Sequence, residues 1–419
     1  MDQIYATIDI GSATIKLVVA KTIGSSIYVL FSKVVPSHGV KVGIIENSKI
    51  LVQDITSLIG EANEKLGTII QSVALNIPSI HARLYQSEGS VELVKMDQKI
   101  NQDDIVKCLR EAGKFGKHKN EEVISVVPVR YHYDGIYSDL PPVNKIAKKL
   151  SVEALVITSD KKIVYPYVLA IEKVGLEVLD IGLNAYSCAK ETFDRVYLKE
   201  GAILIDMGYK TTTISFYQDG FLKYLTTARV GGYDFTKRIA QELQIPMSQA
   251  EVYKIKYGSL DDSFGEVDII HTTENGDYRR DFTQKEFSYI LYDSAQEIMQ
   301  VIKEKLDVIE NIEKKEIVLV GGGSSLAMIE VVASEVFESP VRIYRPDTIG
   351  ARDTSFVSSL GLLYHILDKG KIGGAYPSSL KMLDVSSTMS HRLKGLTKVT
   401  SKTTGTKFGR LVDSLFSDE

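Results

Sequence analysis

The chain has 419 residues, enough for two or more domains with their own cores, and its 44% hydrophobic and 25% charged content is ordinary for a soluble globular protein. A net charge of −4 excludes a general pull toward nucleic acid, so any basic function is local. No run of about 18 apolar residues occurs, which excludes a spanning helix, and the two cysteines, Cys108 and Cys188, lack metal-type spacing and fit a reduced compartment.

The stretch Ile4–Ile10 is β-rich, Gly11-Ser12 breaks it and Thr14–Ala20 resumes it, which predicts a hairpin. With Asp9 inside that strand and no basic leader before it, no signal peptide is expected. Leu51, Ile55, Leu58, Ile59 and Ala62 share one face of a helix over Ser48–Leu66, and a strand follows at Ser72–Ile77. Residues 83–159 read as a separate unit. It holds a short strand pair, a helix N-capped by Asn101, a strand Val123–Tyr133, a loop at Pro141-Pro142 and a strand Val152–Thr158. A helix over Pro166–Val174 comes next.

Near residue 202 the opening pattern returns. Ala202–Gly208 is a strand ending in Asp-x-Gly, and Thr211–Gly220 is its return strand. Two such turns about 200 residues apart predict a duplicated α/β domain. Helices at 233–257 and 284–309 precede a strand Glu316–Val320, the run Gly321-Gly322-Gly323-Ser324 and a helix Thr354–Leu367. Residues 370–406, rich in Ser, Thr, Gly and Lys, read as a linker.

The Asp-x-Gly turns have a chemical use. Gly11 and Gly208 let backbone N–H groups approach phosphate oxygens, while Asp9 and Asp206 offer hard oxygen ligands, through water, to a Mg2+ on the phosphates. Ser12 and Lys16 add a hydroxyl and a cation to the first turn; Thr211 and Thr212 add hydroxyls to the second. A single turn of this kind is more often only a capped hairpin. Its repetition, with a glycine run after an apolar strand, favours a polyphosphate site.

In order and spacing, IDIGSATIK, LIDMGYKTTTIS and VLVGGGSSL resemble the phosphate-1, phosphate-2 and adenosine motifs of the actin, Hsp70 and hexokinase superfamily. Gly231–Gly258 is similar to the segment in which a Glu and a Lys three residues on reach ribose and base. This implies Gly231, Gly232, Glu251 and Lys254 as ATP contacts, beside Gly321, Gly322, Gly323 and Ser324. By themselves Glu251 and Lys254 would read as a solvated helix face. Within the superfamily the whole chain resembles the FtsA family of bacterial cell-division proteins. The extra unit follows the strand at 72–77, as in that family, and VISVVPVRYHYDGI, PPV and KLSVEALVIT look like its subdomain.

The fold so implied is α/β, an actin-like duplicated two-lobe fold with a nucleotide cleft. Its first lobe would comprise 1–82, 161–185 and a closing helix 354–369, with an FtsA-type subdomain inserted at 83–160. The second lobe would span 186–353, followed by a basic linker 370–406 and a membrane-targeting amphipathic helix 407–419. The resemblance implies ATP and Mg2+ binding, self-assembly on the inner face of the cytoplasmic membrane at the division site, and tethering of the FtsZ ring by the FtsZ C-terminal peptide. Later division proteins would be recruited, and no nucleic acid.

The tail has a pattern of its own. Phe408, Leu411, Val412, Leu415 and Phe416 form a helical stripe flanked by Lys407 and Arg410, and residues 371–410 hold eight Lys/Arg against one acid, Asp384. Such a stripe is often a last core helix, but this one hangs from a polar linker and suits an anionic membrane surface. Full burial is worth about 1.5–3 kcal/mol per large side chain, against ordering costs of about 1–2 kcal/mol per residue. One copy is therefore expected to bind reversibly and a polymer far better.

Three departures from the resemblance matter. Gly182, Leu183 and Asn184 stand where Hsp70 and MreB place a Glu-Pro that positions water, so binding without fast hydrolysis is expected. Tyr209 and Lys210 replace glycines of the second phosphate loop, and either narrow it or add a phosphate contact. Ser294 stands where FtsA proteins usually carry the arginine that captures the FtsZ peptide, which implies weaker or altered capture. Two alternatives are a PilM-like scaffold of pilus assembly, which the tail helix argues against, and a small-molecule kinase, whose general base and substrate loop are not legible.

Overall fold

The computed structural model describes residues 3–23, 26–93, 99–114, 118–261, 263, 268–275, 278–373 and 379. The chain divides into two compact units. The first takes Met1–Thr192, Pro346–Arg352 and the chain from Phe356, and the second takes Phe193–Arg345 and Asp353–Ser355.

The first unit opens with β1 (Gln3–Ile10), β2 (Thr14–Ile23) and β3 (Ser26–Pro36), an antiparallel meander. A two-residue pair, β4 (Val40–Lys41) and β5 (Ile44–Ile45), leads into α1 (Ser48–Leu66). The Asn47 side chain accepts from Ile50 N at the start of α1, and Gly67, at φ 63, ends it in the left-handed conformation. The five apolar residues that predict this helix are all buried. Next, β6 (Ser72–Ile77) lies parallel to β1 and is buried at every residue, as a strand covered on both faces must be.

A second sheet of this unit is built from β7 (Arg83–Glu92), β8 (Glu121–Tyr133), β9 (Ile136–Ser138) and β10 (Lys149–Asp160), in the order β7-β10-β8-β9. The short strand pair expected after Arg83 is a single ten-residue strand, because β7 pairs along its whole length with the distant β10. Helix α2 (Gln102–Gly113) lies on this sheet, opened by reciprocal bonds between Asn101 and Asp104. Gly89 permits the approach, since a Cβ there would stand 2.1 Å from the Cys108 carbonyl oxygen. The chain returns through α3 (Lys161–Lys173) to β11 (Glu177–Leu183), which completes the order β11-β6-β1-β2-β3, and then α4 (Asn184–Thr192).

The second unit contains α5 (Arg195–Glu200), β12 (Ala202–Met207), β13 (Thr212–Gln218), β14 (Phe221–Ala228), α6 (Gly232–Leu243) and α7 (Met247–Tyr257). A hairpin of β15 (Ile269–Asn275) and β16 (Tyr278–Thr283) precedes α8 (Gln284–Leu306), β17 (Glu316–Val320), α9 (Ile329–Phe337) and β18 (Val341–Ile343). Its sheet runs β14-β13-β12-β17-β18. Strand for strand this repeats β3-β2-β1-β6-β11, with the first two pairings antiparallel and the last two parallel in both sheets. The repeat seen in two short turns thus extends to the whole topology.

The last helix, α10 (Val357–Gly373), belongs to the first unit and packs on α4. Gly361 lets the two helices touch, because a Cβ would fall 1.7 Å from the Ser187 carbonyl oxygen. Beyond it, Ser379 sits where β1 and β6 begin. Its N–H donates to the Ile4 carbonyl at 2.7 Å, its carbonyl accepts from Gln71 N at 2.9 Å, and its hydroxyl accepts from Ala6 N at 3.0 Å. The amphipathic helix expected at 407–419, with Lys407, Phe408, Arg410, Leu411, Val412, Leu415 and Phe416, lies outside the described residues. Among the described residues no helix is long and apolar enough to cross a membrane.

Candidate functional site

In the first unit, Gly11 N donates to the Thr14 carbonyl at 2.9 Å and closes the turn between β1 and β2. Asp9 lies opposite Lys16 on β2 and Asn76 on β6. Its carboxylate, 6% exposed, accepts from Lys16 Nζ at 3.1 Å and from the Ser358 hydroxyl at 2.8 Å, while Asn184 Nδ2 stands 3.5 Å from its other oxygen. A buried charge is tolerated only when paired and hydrogen-bonded, and Asp9 meets both conditions. Lys16 is therefore engaged with Asp9. The Ser12 hydroxyl accepts from Gly43 N at 3.4 Å.

Of the three residues at the missing Glu-Pro, only Asn184 faces Asp9. Gly182 has no space for a side chain, since a Cβ would stand 2.6 Å from Leu362, and Leu183 is buried.

The second unit repeats the turn, with Gly208 N donating to the Thr211 carbonyl at 3.0 Å. Here glycine is required by close approach. A Cβ on Gly321 would stand 2.3 Å from an Asp206 carboxylate oxygen, and Gly321 also has φ +86. On Gly323 it would stand 2.7 Å from the Met207 carbonyl oxygen, and on Gly231 2.5 Å from that of Gly208. Gly322 meets nothing within 4 Å. The Ser324 hydroxyl, fully buried, donates to the Gly321 carbonyl at 2.8 Å and holds the glycine turn in shape. The tip of the second hairpin is also tied to α6, because Gly232 N and Tyr233 N donate to the carbonyls of Gly208 and Tyr209 at 3.0 and 2.7 Å.

Glu251 and Lys254 come to the same place. Lys254 Nζ donates to the Gly232 carbonyl at 2.9 Å, and to the Thr236 hydroxyl and Glu251 carboxylate at 2.8 Å each. Burial lowers the Lys254 pKa below that of a free lysine, and Glu251 works against that shift. Tyr209, edge-on to Tyr233 with centroids 5.6 Å apart, has its phenol pushed up by burial and then by Glu251.

The structure thus gathers Asp206, Gly208, Gly231, Gly232, Glu251, Lys254, Gly321 and Gly323 around one hairpin. Thr212 is not among them in the role expected: it is fully buried, and its hydroxyl donates to the Val230 carbonyl at 2.8 Å. Ser294 lies on the inward face of α8 beside buried Leu291, Ala295 and Ile298 and is 3% exposed, so it offers nothing to an external peptide. Ser358 and Thr236 escaped sequence reasoning. Ser358 reaches Asp9 across 349 residues of chain, and no local pattern marks it.

Among the described residues no group of three or more His, Cys, Asp or Glu suits a metal ion. Lys16 and Ser358 already engage one oxygen of the Asp9 carboxylate, so a carboxylate cluster that would coordinate Mg2+ directly is not what the described residues form.

Two mirrored sheets with a glycine-lined hairpin at the same point of each define an actin-like protein, and solved structures agree on the fold. The PilM-PilN type IV pilus biogenesis complex matches at TM-score 0.58 and 15% identity over 86% of this chain and 98% of that one. MreB5 of Spiroplasma citri bound to ADP matches at TM-score 0.53 and 14% identity over 88% and 98%. The family model described as type IV pilus assembly protein PilM matches residues 7–267, and that of cell division protein FtsA matches residues 203–361. The FtsA of Bacillus subtilis (strain 168) is 24% identical over 380 residues, 89% of this chain and 86% of that protein. The FtsA of Enterococcus hirae is 27% identical over 367 residues, 86% and 82%. The chain therefore falls in the group the PilM family model describes, which matches more than half of it, and along most of its length it is similar to FtsA cell-division proteins.

Proposed function

We propose that this chain binds ATP with Mg2+, assembles with itself on the inner face of the cytoplasmic membrane through residues 407–419, and there tethers the FtsZ ring and later division proteins. The observation that carries the reading is the hairpin built twice, each time with Asp before Gly and a turn closed by the same backbone bond. With the glycine N–H spent on closing each turn, phosphate oxygens would be met by the backbone of the tip residues, Ser12-Ala13 and Tyr209-Lys210. Support also comes from the actin-fold neighbours whose structures hold ADP and AMPPNP. Binding is slow to lead to hydrolysis, since the group nearest Asp9 at the water-positioning slot is the Asn184 amide, which cannot act as a base. FtsZ capture uses a surface other than Ser294.

Sedimentation with anionic vesicles, with and without ATP, tests this on the intact chain and on one ending at Thr404. Pelleting of the intact chain alone, increased by ATP, is expected. Equal pelleting of both forms removes the membrane anchor, and failure of the intact chain to bind ATP removes the nucleotide reading.

A second reading, a scaffold of pilus assembly, is favoured by the PilM family match to residues 7–267. Membrane binding that requires a partner peptide and ignores truncation at Thr404 would select it.

A further inference from the structure

Lys16 stands beside the first unit's turn, Lys210 and Lys254 stand at the second unit's, and the structure distinguishes them by what their ammonium groups already hold. Lys16 is bound to the Asp9 carboxylate at 3.1 Å. Lys254 has three N–H groups and three acceptors within 2.9 Å, so a phosphate would have to displace a bond that joins α6 to α7. Lys210 differs. Its Nζ lies over the Tyr233 ring, 4.9 Å from the centroid, and among the described residues it forms no ion pair. A ring face attracts the cation without using its N–H groups, which stay available to an anion.

The setting of Lys210 is rigid. It occupies the tip of the turn closed by Gly208 N and the Thr211 carbonyl, and that tip is pinned to α6 by the Gly232 and Tyr233 N–H groups. Tyr233 is held edge-on by Tyr209, whose ring has Lys254 Nζ 5.5 Å from its centroid. The aromatic pair therefore joins a lysine that is fully bonded to one that is not. Sequence alone left open whether Tyr209 and Lys210 narrow the loop or meet phosphate; the two residues divide these tasks, Tyr209 packing and Lys210 presenting charge.

We propose that Lys210, carried on the Tyr233 ring, is the lysine that contacts phosphate in the candidate site and makes it prefer nucleotides with more phosphate groups. This deepens the ATP-binding reading and rests on it. The ligand class is a nucleoside di- or triphosphate, recognised by charge at a turn whose other donors are backbone N–H groups.

Calorimetric titration of the intact chain with AMP, ADP and ATP tests it. Lys210→Met should weaken ATP binding about tenfold, ADP less and AMP least, as loss of one charge-assisted contact predicts. Lys210→Arg and Tyr233→Phe should each stay within about twofold of the unaltered chain for ATP, because charge and ring are kept. Tyr233→Leu should reproduce part of the Lys210→Met loss. Equal weakening for all three nucleotides would mean a structural role, and unchanged ATP affinity in Lys210→Met would mean no role; either overturns the proposal while leaving ATP binding intact. An intact chain that binds no ATP overturns both.

Discussion

Lys254 donates to Glu251 at 2.8 Å from three residues further along α7, and the same ammonium reaches back to the Gly232 carbonyl at the start of α6. The pair that reads in sequence as a solvated helix face is the bolt that joins two helices at the candidate site. Lys254→Met should leave the Gly232 carbonyl and the Glu251 carboxylate to share the single Thr236 hydroxyl proton and lower stability by about 1–3 kcal/mol. Glu251→Gln keeps an acceptor oxygen, and its carboxylate is partly exposed, so its effect should be the smaller. Urea unfolding followed by circular dichroism decides this; a Lys254→Met midpoint equal to that of the unaltered chain would refute the bolt.

The three glycines after β17 are not equivalent. An added Cβ on Gly321 meets Asp206 at 2.3 Å from a backbone at φ +86, while one on Gly322 meets nothing within 4 Å. Gly321→Ala should therefore lower stability by at least about 1–3 kcal/mol and disturb the Asp206 hairpin. Gly322→Ala should stay within about 0.5 kcal/mol. Similar melting curves for the two variants would show that the glycine run is merely a loose turn.

His365 on α10 is 4% exposed, and among the described residues its Nε2 has no hydrogen-bond partner. It lies edge-on to Tyr186 at 5.7 Å, with Lys369 and Lys190 facing it, each paired to an acid, Asp180 and Asp368. Burial, then those two cations, hold its pKa well below that of a free imidazole. The unfolded chain thus takes up the proton first, and stability must fall as pH drops below about 6.5, by up to about 1.4 kcal/mol per pH unit. Urea midpoints at pH 7.5 and 5.5 should diverge less in His365→Leu than in the unaltered chain. Equal divergence would assign the acid sensitivity to the other six histidines and the carboxylates.

Elements governed by near neighbours were legible. Helix α1 follows from its apolar spacing, Asn47 and Gly67, all within one stretch of chain. The first unit's second sheet was harder, because β7 finds its partner β10 some sixty residues on and appears in sequence only as short apolar patches. At the candidate site the residue types were readable but their partners were not. Thr212 looked like a hydroxyl for phosphate and is spent on Val230, and Ser294 looked like a surface position and faces the core.

The sequence by itself determined the repeated Asp-x-Gly turn, since that pattern depends only on residues within a few places of each other. It also determined the striped, basic tail, which needs no partner to be read. Tertiary structure decided which charges are occupied. Among the described residues Lys16 is held by Asp9, Lys254 by Glu251 and by the Gly232 carbonyl and Thr236 hydroxyl of α6, and Lys210 by an aromatic ring, because the packing of α6 against α7 and the second turn sets which partners each ammonium reaches. It decided, too, the place of Ser379, which bonds to Ile4, Ala6 and Gln71, residues that no local rule connects to it.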